Sequence, residues 1–356
     1  MSSIRSNASR DAILLDTLAQ KRTTSNSGFE RPPLVMYGDG SDLRNVEALA
    51  SRSKRKAITR VMVLSLIDVA TKKKKGDRVK AYWNTYHCQN RIVTHDGKLH
   101  TTYCKNRFCT VCLSIRKATI MNNYLPYLQT WEDAYFLTLT VKAIPAYKLP
   151  RYVNGMLELF GKIIDKYRKK DKRRKGFALE GIRSLECNFN PVKRTYNPHF
   201  HILVRNREMG EILLTEWLTR FPRKHVSPLA QKLVKVEDRE RALIEIVKYG
   251  SKIFTEPDLK MATRKTSRYI YVSALDNIFS AMQGRRIFDR FGFNLPEQRT
   301  PEPKQNFRIL VDYENWLYTP KLFDWVNIDS GETLSGYQLT NELKDILSNR
   351  IDCDLQ

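Results

Sequence analysis

The sequence predicts an α+β protein: an antiparallel sheet with helices on one face, preceded by a small cysteine-rich module. Three observations carry this. From Tyr135 to Lys252 strand-like and helix-like segments follow in the order β-α-β-β-α-β-α, and two adjacent middle strands flanked by helices build an antiparallel sheet covered on one side. Upstream, residues 80–117 hold four of the six cysteines. Apolar residues make up 42% of the 356, enough for at least one buried core.

Taken in order, residues 1–79 read as a basic N-terminal region, partly disordered and partly helical. Residues 1–40 are rich in Ser, Arg and Asn and are expected to be poorly ordered. From Asp42 to Ala70 apolar residues recur at helical spacing (Leu43, Val46, Leu49, then Val61, Leu64, Ile67), which predicts one or two helices. Lys72–Gly76 reads as a charged hinge, a solvated linker. Residues 80–125 form the cysteine-rich module. Cys88, Cys104, Cys109 and Cys112 have the spacing C-x15-C-x4-C-x2-C. Clustered thiols in a reducing compartment point to tetrahedral zinc before disulfides, and the x2 pair lets two sulfurs meet one ion. Lys105, Arg107, Arg116 and Lys117 surround the thiols and favour thiolate. His87, His95 and His100 are spare ligands; a set of buried free cysteines is the other reading.

Tyr135–Val141 alternates and is rich in aromatic and β-branched residues, a strand. Leu149–Lys170 places Val153, Met156, Leu157, Phe160, Ile163 and Ile164 on one helical face. It runs into Lys169–Lys175, a solvated loop at minimum and a phosphate contact through Lys169, Lys170, Arg173 and Arg174. Phe177–Asn190 reads as a strand, Asn190-Pro191 as a turn, and Asn197-Pro198 as the turn that starts the next strand. A helix over Glu211–Phe221, a strand over Lys232–Val236 and a helix over Glu240–Lys252 follow. Gly284-Arg285-Arg286 lies in a basic, partly helical stretch reaching Phe291, and Arg285 and Arg286 are further candidate phosphate contacts. Residues 301–356 hold a Pro-containing linker, an aromatic patch (Tyr313, Trp316, Tyr318, Phe323, Trp325) and a helix over Leu339–Leu347, with no role assigned.

The net charge of +24 favours a polyanionic partner, most often nucleic acid. No apolar run approaches the length of a membrane span, and the N-terminus lacks the apolar core of a secretion signal, so a cytoplasmic protein is expected. Two features carry chemistry. In an extended strand His199 and His201 share a face while Phe200 and Ile202 take the other, and two imidazoles on one rigid face are half a metal site. A lone His-x-His also occurs as a structural pair. On a helix, Glu245 and Lys252 lie four before and three after Tyr249, on one face. A phenol with an ammonium to favour phenolate and a carboxylate to take a proton can act as a nucleophile; the same pattern also fits an ordinary amphipathic helix.

FLTLT at 136–140, HFH at 199–201 and ExxKY at 245–249, in that order, resemble the rolling-circle plasmid replication initiators of the single-tyrosine HUH endonuclease class. The upstream cysteines and the downstream GRRIFDRFG, Gly284–Gly292, are similar to features of the same initiators; Thr110 departs from their pattern, where proline is usual. The resemblance implies an HUH endonuclease domain of ferredoxin-like order over residues 130–292. It implies Mg²⁺ or Mn²⁺ on His199 and His201 with a third ligand on a neighbouring strand, for which Glu186 is the candidate. Tyr249 would attack the scissile phosphate, leaving a 5′-phosphotyrosine and a free 3′-hydroxyl, with Glu245 acting at termination and Lys252 beside the phenol. The implied partners are single- and double-stranded origin DNA, a host helicase and a DNA polymerase. A relaxase or transposase of the same class, or a non-catalytic zinc-containing nucleic-acid-binding protein, are the alternative readings.

Overall fold

The computed structural model describes residues 34–37, 41–42, 45–190, 192–247, 265–295, 307–310 and 312–341. The poor order expected over residues 1–40 falls mostly outside these. Two short strands come first, β1 (Leu34–Tyr37) and β2 (Ser41–Asp42). Asn45 then accepts a hydrogen bond from the Ala48 N–H at 2.8 Å and starts a single helix, α1 (Val46–Lys72). Ala57, Val61, Met62, Val63, Leu66 and Ala70 are all buried, so α1 is apolar around most of its middle circumference. Lys72–Gly76 is not a solvated linker. It is a tight turn with Lys74 at φ +54, leading into α2 (Gly76–Tyr86). Lys73 pairs with Asp276 at 2.9 Å, and Asp276, fully buried, also accepts from the Tyr82 hydroxyl at 2.8 Å. A buried carboxylate needs such partners, and that need draws the lysine inward.

Strands β3 (Arg91–His95) and β4 (Lys98–Thr101) form a hairpin through Asp96-Gly97, both at positive φ. Asp-Gly is a strong hairpin signal that the sequence reading passed over. Helix α3 (Thr110–Leu128) and strand β5 (Tyr135–Thr140) follow. Next come α4 (Leu149–Lys172), β6 (Gly181–Asn190), β7 (Thr195–Val204) and α5 (Arg207–Arg220). α5 begins four residues before the expected Glu211, because the Asn206 side chain caps it by accepting from the Met209 N–H. β8 (Lys232–Lys235), α6 (Arg239–Val247), α7 (Lys265–Met282), β9 (Phe288–Phe291), β10 (Phe307–Leu310), β11 (Glu314–Thr319) and β12 (Asp324–Asn327) complete the described elements. Of the helix expected over Leu339–Leu347, Leu339 and Thr340 are not helical and the residues after Asn341 lie outside the described ones.

The chain forms two units. The first comprises Met1–Ala57, His87–Tyr103 and Arg299–Thr340. Its five-stranded antiparallel sheet has the order β12-β11-β3-β4-β2, and β1 pairs with β10 separately. Leu49, Ile92, Leu99, Trp316, Tyr318 and Trp325 form its core, so the aromatic patch left without a role is the other half of the β3–β4 hairpin's hydrophobic face.

The second unit comprises Ile58–Tyr86, Cys104–Gln298 and Asn341–Gln356. Its antiparallel sheet has the order β8-β5-β7-β6-β9. The expected β-α-β-β-α-β-α order is present from β5 to α6, and the fold is α+β. The stretch expected to be partly helical up to Phe291 is instead the edge strand β9. It is reached through a turn at Gly284 (φ +69), and it ends at Gly292 (φ +79), where a Cβ would meet the Leu179 carbonyl oxygen at 2.0 Å. One face of the sheet, with Leu137, Leu139, Leu185, Phe200 and Ile202, packs on α4, α5 and α7 through Val153, Met156, Phe160, Leu213, Trp217 and Ile278. On the other face, Ile182 and Leu203 are covered by Leu128 of α3 and by Leu243 and Ile246 of α6. That apolar cover stops at the row Phe136–Leu203–Ile182. The next two rows are polar: Thr138–His201–Ser184 and Thr140–His199–Glu186.

Asn197-Pro198 is not the turn that starts the histidine strand but part of β7. Pro198 lies one residue past the β5 pairing, which ends at His199↔Thr140 and resumes only at the Tyr196–Ile144 bridge. A proline fits there because no ladder donor is required. The turn before β7 is built by Asn190, whose side-chain oxygen accepts from the N–H groups of Val192 and Lys193, both at 3.0 Å.

Candidate functional site

The polar rows carry the first candidate site. Strand alternation puts His199 and His201 on one face, and the antiparallel register sets Glu186 directly across from His199. Glu186 Oε2 is 3.7 Å from His199 Nε2 and 3.8 Å from His201 Nε2. Ligand atoms from all three lie within 4.8 Å of one another, a group that can hold a metal ion. Glu186 is 3% exposed and His199 5%.

The hydrogen bonds test whether a cation fits. His199 Nδ1 is 3.0 Å from the Asn197 carbonyl oxygen. A carbonyl only accepts, so Nδ1 carries the proton and, in the neutral ring, Nε2 presents its lone pair to Glu186. A lone pair and a carboxylate facing each other at this distance with little water need a positive charge between them. Glu186 Oε1 is buried without a hydrogen-bond partner, and so is Ser184 Oγ in the adjacent row. Two imidazole nitrogens and a carboxylate, with one ring oriented by a backbone carbonyl, are the donor set and outer shell of a divalent-metal site.

Asn197 is the residue that sequence reading missed. Besides orienting His199 through its carbonyl, its side-chain amide donates to Thr140 Oγ1 at 3.0 Å and to the Val141 carbonyl at 2.6 Å, closing the frayed end of β5 beside the site. Its place two residues before His199 was the only available signal, and it was read as a turn. Cys187 follows Glu186 but joins the opposite, apolar face, where burial pushes its thiol up so that it stays protonated. Tyr196 also belongs to that face, and burial raises its phenol.

Tyr249 and Lys252 lie outside the described residues. Glu245 is half-buried on α6, capped at its start by Asp238, which accepts from the Arg241 N–H at 2.9 Å. α6 packs against β6 and β7, the strands that carry Glu186 and the histidines. Its described end, Val247, is two residues before Tyr249 in the sequence.

The second group is Cys88, Cys104, Cys109 and Cys112, whose sulfurs lie within 4.8 Å of one another, again able to hold a metal ion. All four are free thiols, and three are buried. Cys109 stands at the N-cap of α3, where the helix dipole favours thiolate. None of the three spare histidines belongs to the group. Buried Lys56, overlooked in the sequence, donates to the Cys88 carbonyl at 2.5 Å and to Asn90 at 2.8 Å.

Of the basic residues, Lys169 and Lys170 end α4 and Arg173 and Arg174 follow it. Lys169, Lys170 and Arg173 line a groove with Lys162, Lys166 and Lys175. α4 covers the face of the sheet opposite the Glu186–His199–His201 group, so these cations and that group lie on different faces. Arg285 and Arg286 are exposed in the turn before β9, and Arg286 pairs with Asp289 at 3.3 Å.

Residues 97–208 match the family model described as Replication protein. The matched span contains Glu186, His199, His201 and three of the four clustered cysteines, Cys104, Cys109 and Cys112, and ends before Glu245. Among curated relatives, a Staphylococcus aureus protein called Protein rep is 30% identical over 167 residues, covering 42% of this chain and 69% of the relative. A Protein rep of Bacillus sp is 32% identical over 124 residues, 32% of this chain and 39% of the relative. One from Bacillus amyloliquefaciens is 31% identical over 130 residues, 34% of this chain and 37% of the relative. The chain thus spans well under half of the two Bacillus proteins. No solved structure matches.

Proposed function

The chain belongs to the rolling-circle plasmid replication initiators, and on that premise we propose that it starts synthesis by cutting one strand of the plasmid origin with Tyr249. The observation that carries the reading is the buried group of Glu186, His199 and His201, with α6, the helix that leads toward Tyr249, packed on the same strands. A divalent cation, Mg²⁺ or Mn²⁺, held by these three side chains supplies polarisation of the scissile phosphate and charge neutralisation. The chain's own residues do the rest. Glu186 and the two imidazoles hold the site in place, and Asn197 fixes the His199 ring. The Tyr249 oxygen attacks phosphorus, and the bond from phosphorus to the 3′ oxygen breaks. The 5′ phosphate stays on the tyrosine, and the strand leaves as a 3′-hydroxyl that a polymerase can extend. A phenol has an ordinary pKa of about 10, so it needs help to ionise; Lys252 favours phenolate, and Glu245 acts at termination, where it takes a proton from the second nucleophile. The phosphotyrosine keeps the bond energy for rejoining.

The cysteine group holds Zn²⁺ as a structural ion. The basic groove of α4 and the Arg285-Arg286 turn bind flanking DNA, single- or double-stranded, and a host helicase and DNA polymerase act on the opened origin. The test is incubation with a labelled single-stranded origin oligonucleotide and Mn²⁺, followed by a denaturing gel. A covalent adduct is expected with the native chain. Tyr249→Phe removes only the nucleophilic oxygen, so it should abolish the adduct while binding stays within a few-fold. An adduct of undiminished yield in that variant would place the nucleophile elsewhere.

A further inference from the structure

A cavity of about 230 Å³ lies in the second unit, apart from the metal-binding group of the sheet, among α2, the loop between Cys104 and Cys109, the end of α7 and the turn after it. Arg78, Lys105 and Arg107 bring cations to it, Phe108 and Phe279 bring aromatic walls, and exposed Gln283 stands at its edge. Among the described residues no carboxylate lines it. Asp276, which accepts from the hydroxyl of the wall residue Tyr82, is already matched by Lys73 at 2.9 Å and Arg78 at 3.4 Å. Burial and Asp276 raise the Tyr82 phenol, so that ring adds no negative charge. The site is therefore net positive. Arg107 is fixed in place by donating to the carbonyls of Met282 and Arg285. The Phe108 ring is held edge-on to Tyr82 at 4.9 Å and tilted to Phe279 at 5.2 Å, and Phe279 is the half-buried, more exposed of the two walls.

A cationic pocket with aromatic walls suits a planar anion. The volume lies below the roughly 300–1,000 Å³ of drug-sized sites and suits one base with little of its backbone inside. The cavity also connects to the sheet. Its wall residue Ile287 accepts from the Leu185 N–H at 2.8 Å, one residue before Glu186.

We propose that this cavity is a nucleotide pocket that takes one unpaired base of a DNA strand against Phe279, with the adjoining phosphate on Lys105 and Arg107. Stacking on an aromatic ring with a cation at the backbone is a general mode of single-strand binding. The proposal rests on the reading that the protein binds DNA, and not on the tyrosine chemistry.

The test uses the full chain with a non-origin single-stranded oligonucleotide carrying 2-aminopurine, whose fluorescence falls when the base stacks. Two variants change the exposed rim and spare the core: Lys105→Glu reverses charge, and Gln283→Trp fills the mouth. Binding is expected to quench the probe with the native chain. Each variant is expected to lose most of the quenching and about tenfold in affinity, with zinc content and thermal transition unchanged in Gln283→Trp. Native-like quenching and affinity in both variants would overturn the pocket. Free 2-aminopurine deoxynucleotide is expected to compete at least a hundredfold more weakly than the oligonucleotide; equal competition would assign the pocket to a free nucleotide and overturn the strand. The Mn²⁺-dependent adduct assay separates the two proposals. Quenching without any adduct leaves the pocket standing and sinks the tyrosine mechanism; an adduct with native-like quenching in both variants sinks the pocket alone.

Discussion

Glu186 shows how one side chain can be legible and yet undecided. Its carboxylate is buried 3.7 and 3.8 Å from the two imidazoles, with one oxygen lacking a partner. Glu186→Gln keeps the volume but removes the charge and replaces an acceptor with a donor facing His199 Nε2. We expect Mn²⁺ affinity to fall at least tenfold by calorimetry, the scale on which even outer-shell changes act. Unchanged affinity would exclude Glu186 as a ligand. Glu245 is distinguished by role. An ionised carboxylate can act as a base. Glu245→Gln should leave the first cut largely intact while over-length strands accumulate in vivo. A ratio of unit-length to over-length products equal to the native one would sink the base role of Glu245.

At the scale of elements, the segment from Cys88 to α3 depends on its thiols. The sulfurs converge within 4.8 Å without forming disulfides, an arrangement able to hold a metal ion. Protein purified without chelator should contain one zinc per chain for this group by elemental analysis. Cys109→Ser should lose that zinc and lower the thermal transition, since apparent binding energies of about 10 kcal/mol or more couple such ions to folding. Native zinc content in Cys109→Ser would remove Cys109 from the ligand set. β9 teaches the opposite lesson about elements. Gly284-Arg285-Arg286 reads as basic and helical, but Gly284 at positive φ ends the run and Phe288–Phe291 pairs with β6 instead.

Across the whole molecule, the +24 charge has a place to act. Lys162, Lys166, Lys169, Lys170, Arg173 and Lys175 form one basic groove on the face of the sheet away from the metal-binding group. Each phosphate neutralised on duplex DNA contributes about 0.9 to the slope of log affinity against log salt. Changing Lys169, Lys170 and Arg173 together to Glu should lower that slope by about 2–3 on duplex. The same variant should still form the Mn²⁺-dependent adduct on a short single strand. An unchanged slope would move duplex binding off this groove. No helix among the described residues is long and apolar enough to cross a membrane.

By itself the sequence determined what each segment does within its own element. Alternation from Tyr135 to Val141 marked a strand, the 3.6-residue period marked α4, and His-x-His put both imidazoles on one face whatever the strand's neighbours. The C-x4-C-x2-C spacing likewise stated a local geometry. Partnership across the chain was decided only in three dimensions. Residue 186 faces residue 199 because β6 and β7 pair in one particular register, and a slip of one residue would turn the carboxylate to the apolar face. Lys73 is drawn inward by a carboxylate 203 positions away. Trp316 and Trp325 close over Ile92 because β11 pairs with β3 across some 220 residues of chain. Periodicity reports which face a side chain takes. Burial of apolar area and the satisfaction of buried charge select which distant face it meets, and neither quantity is written in any local window.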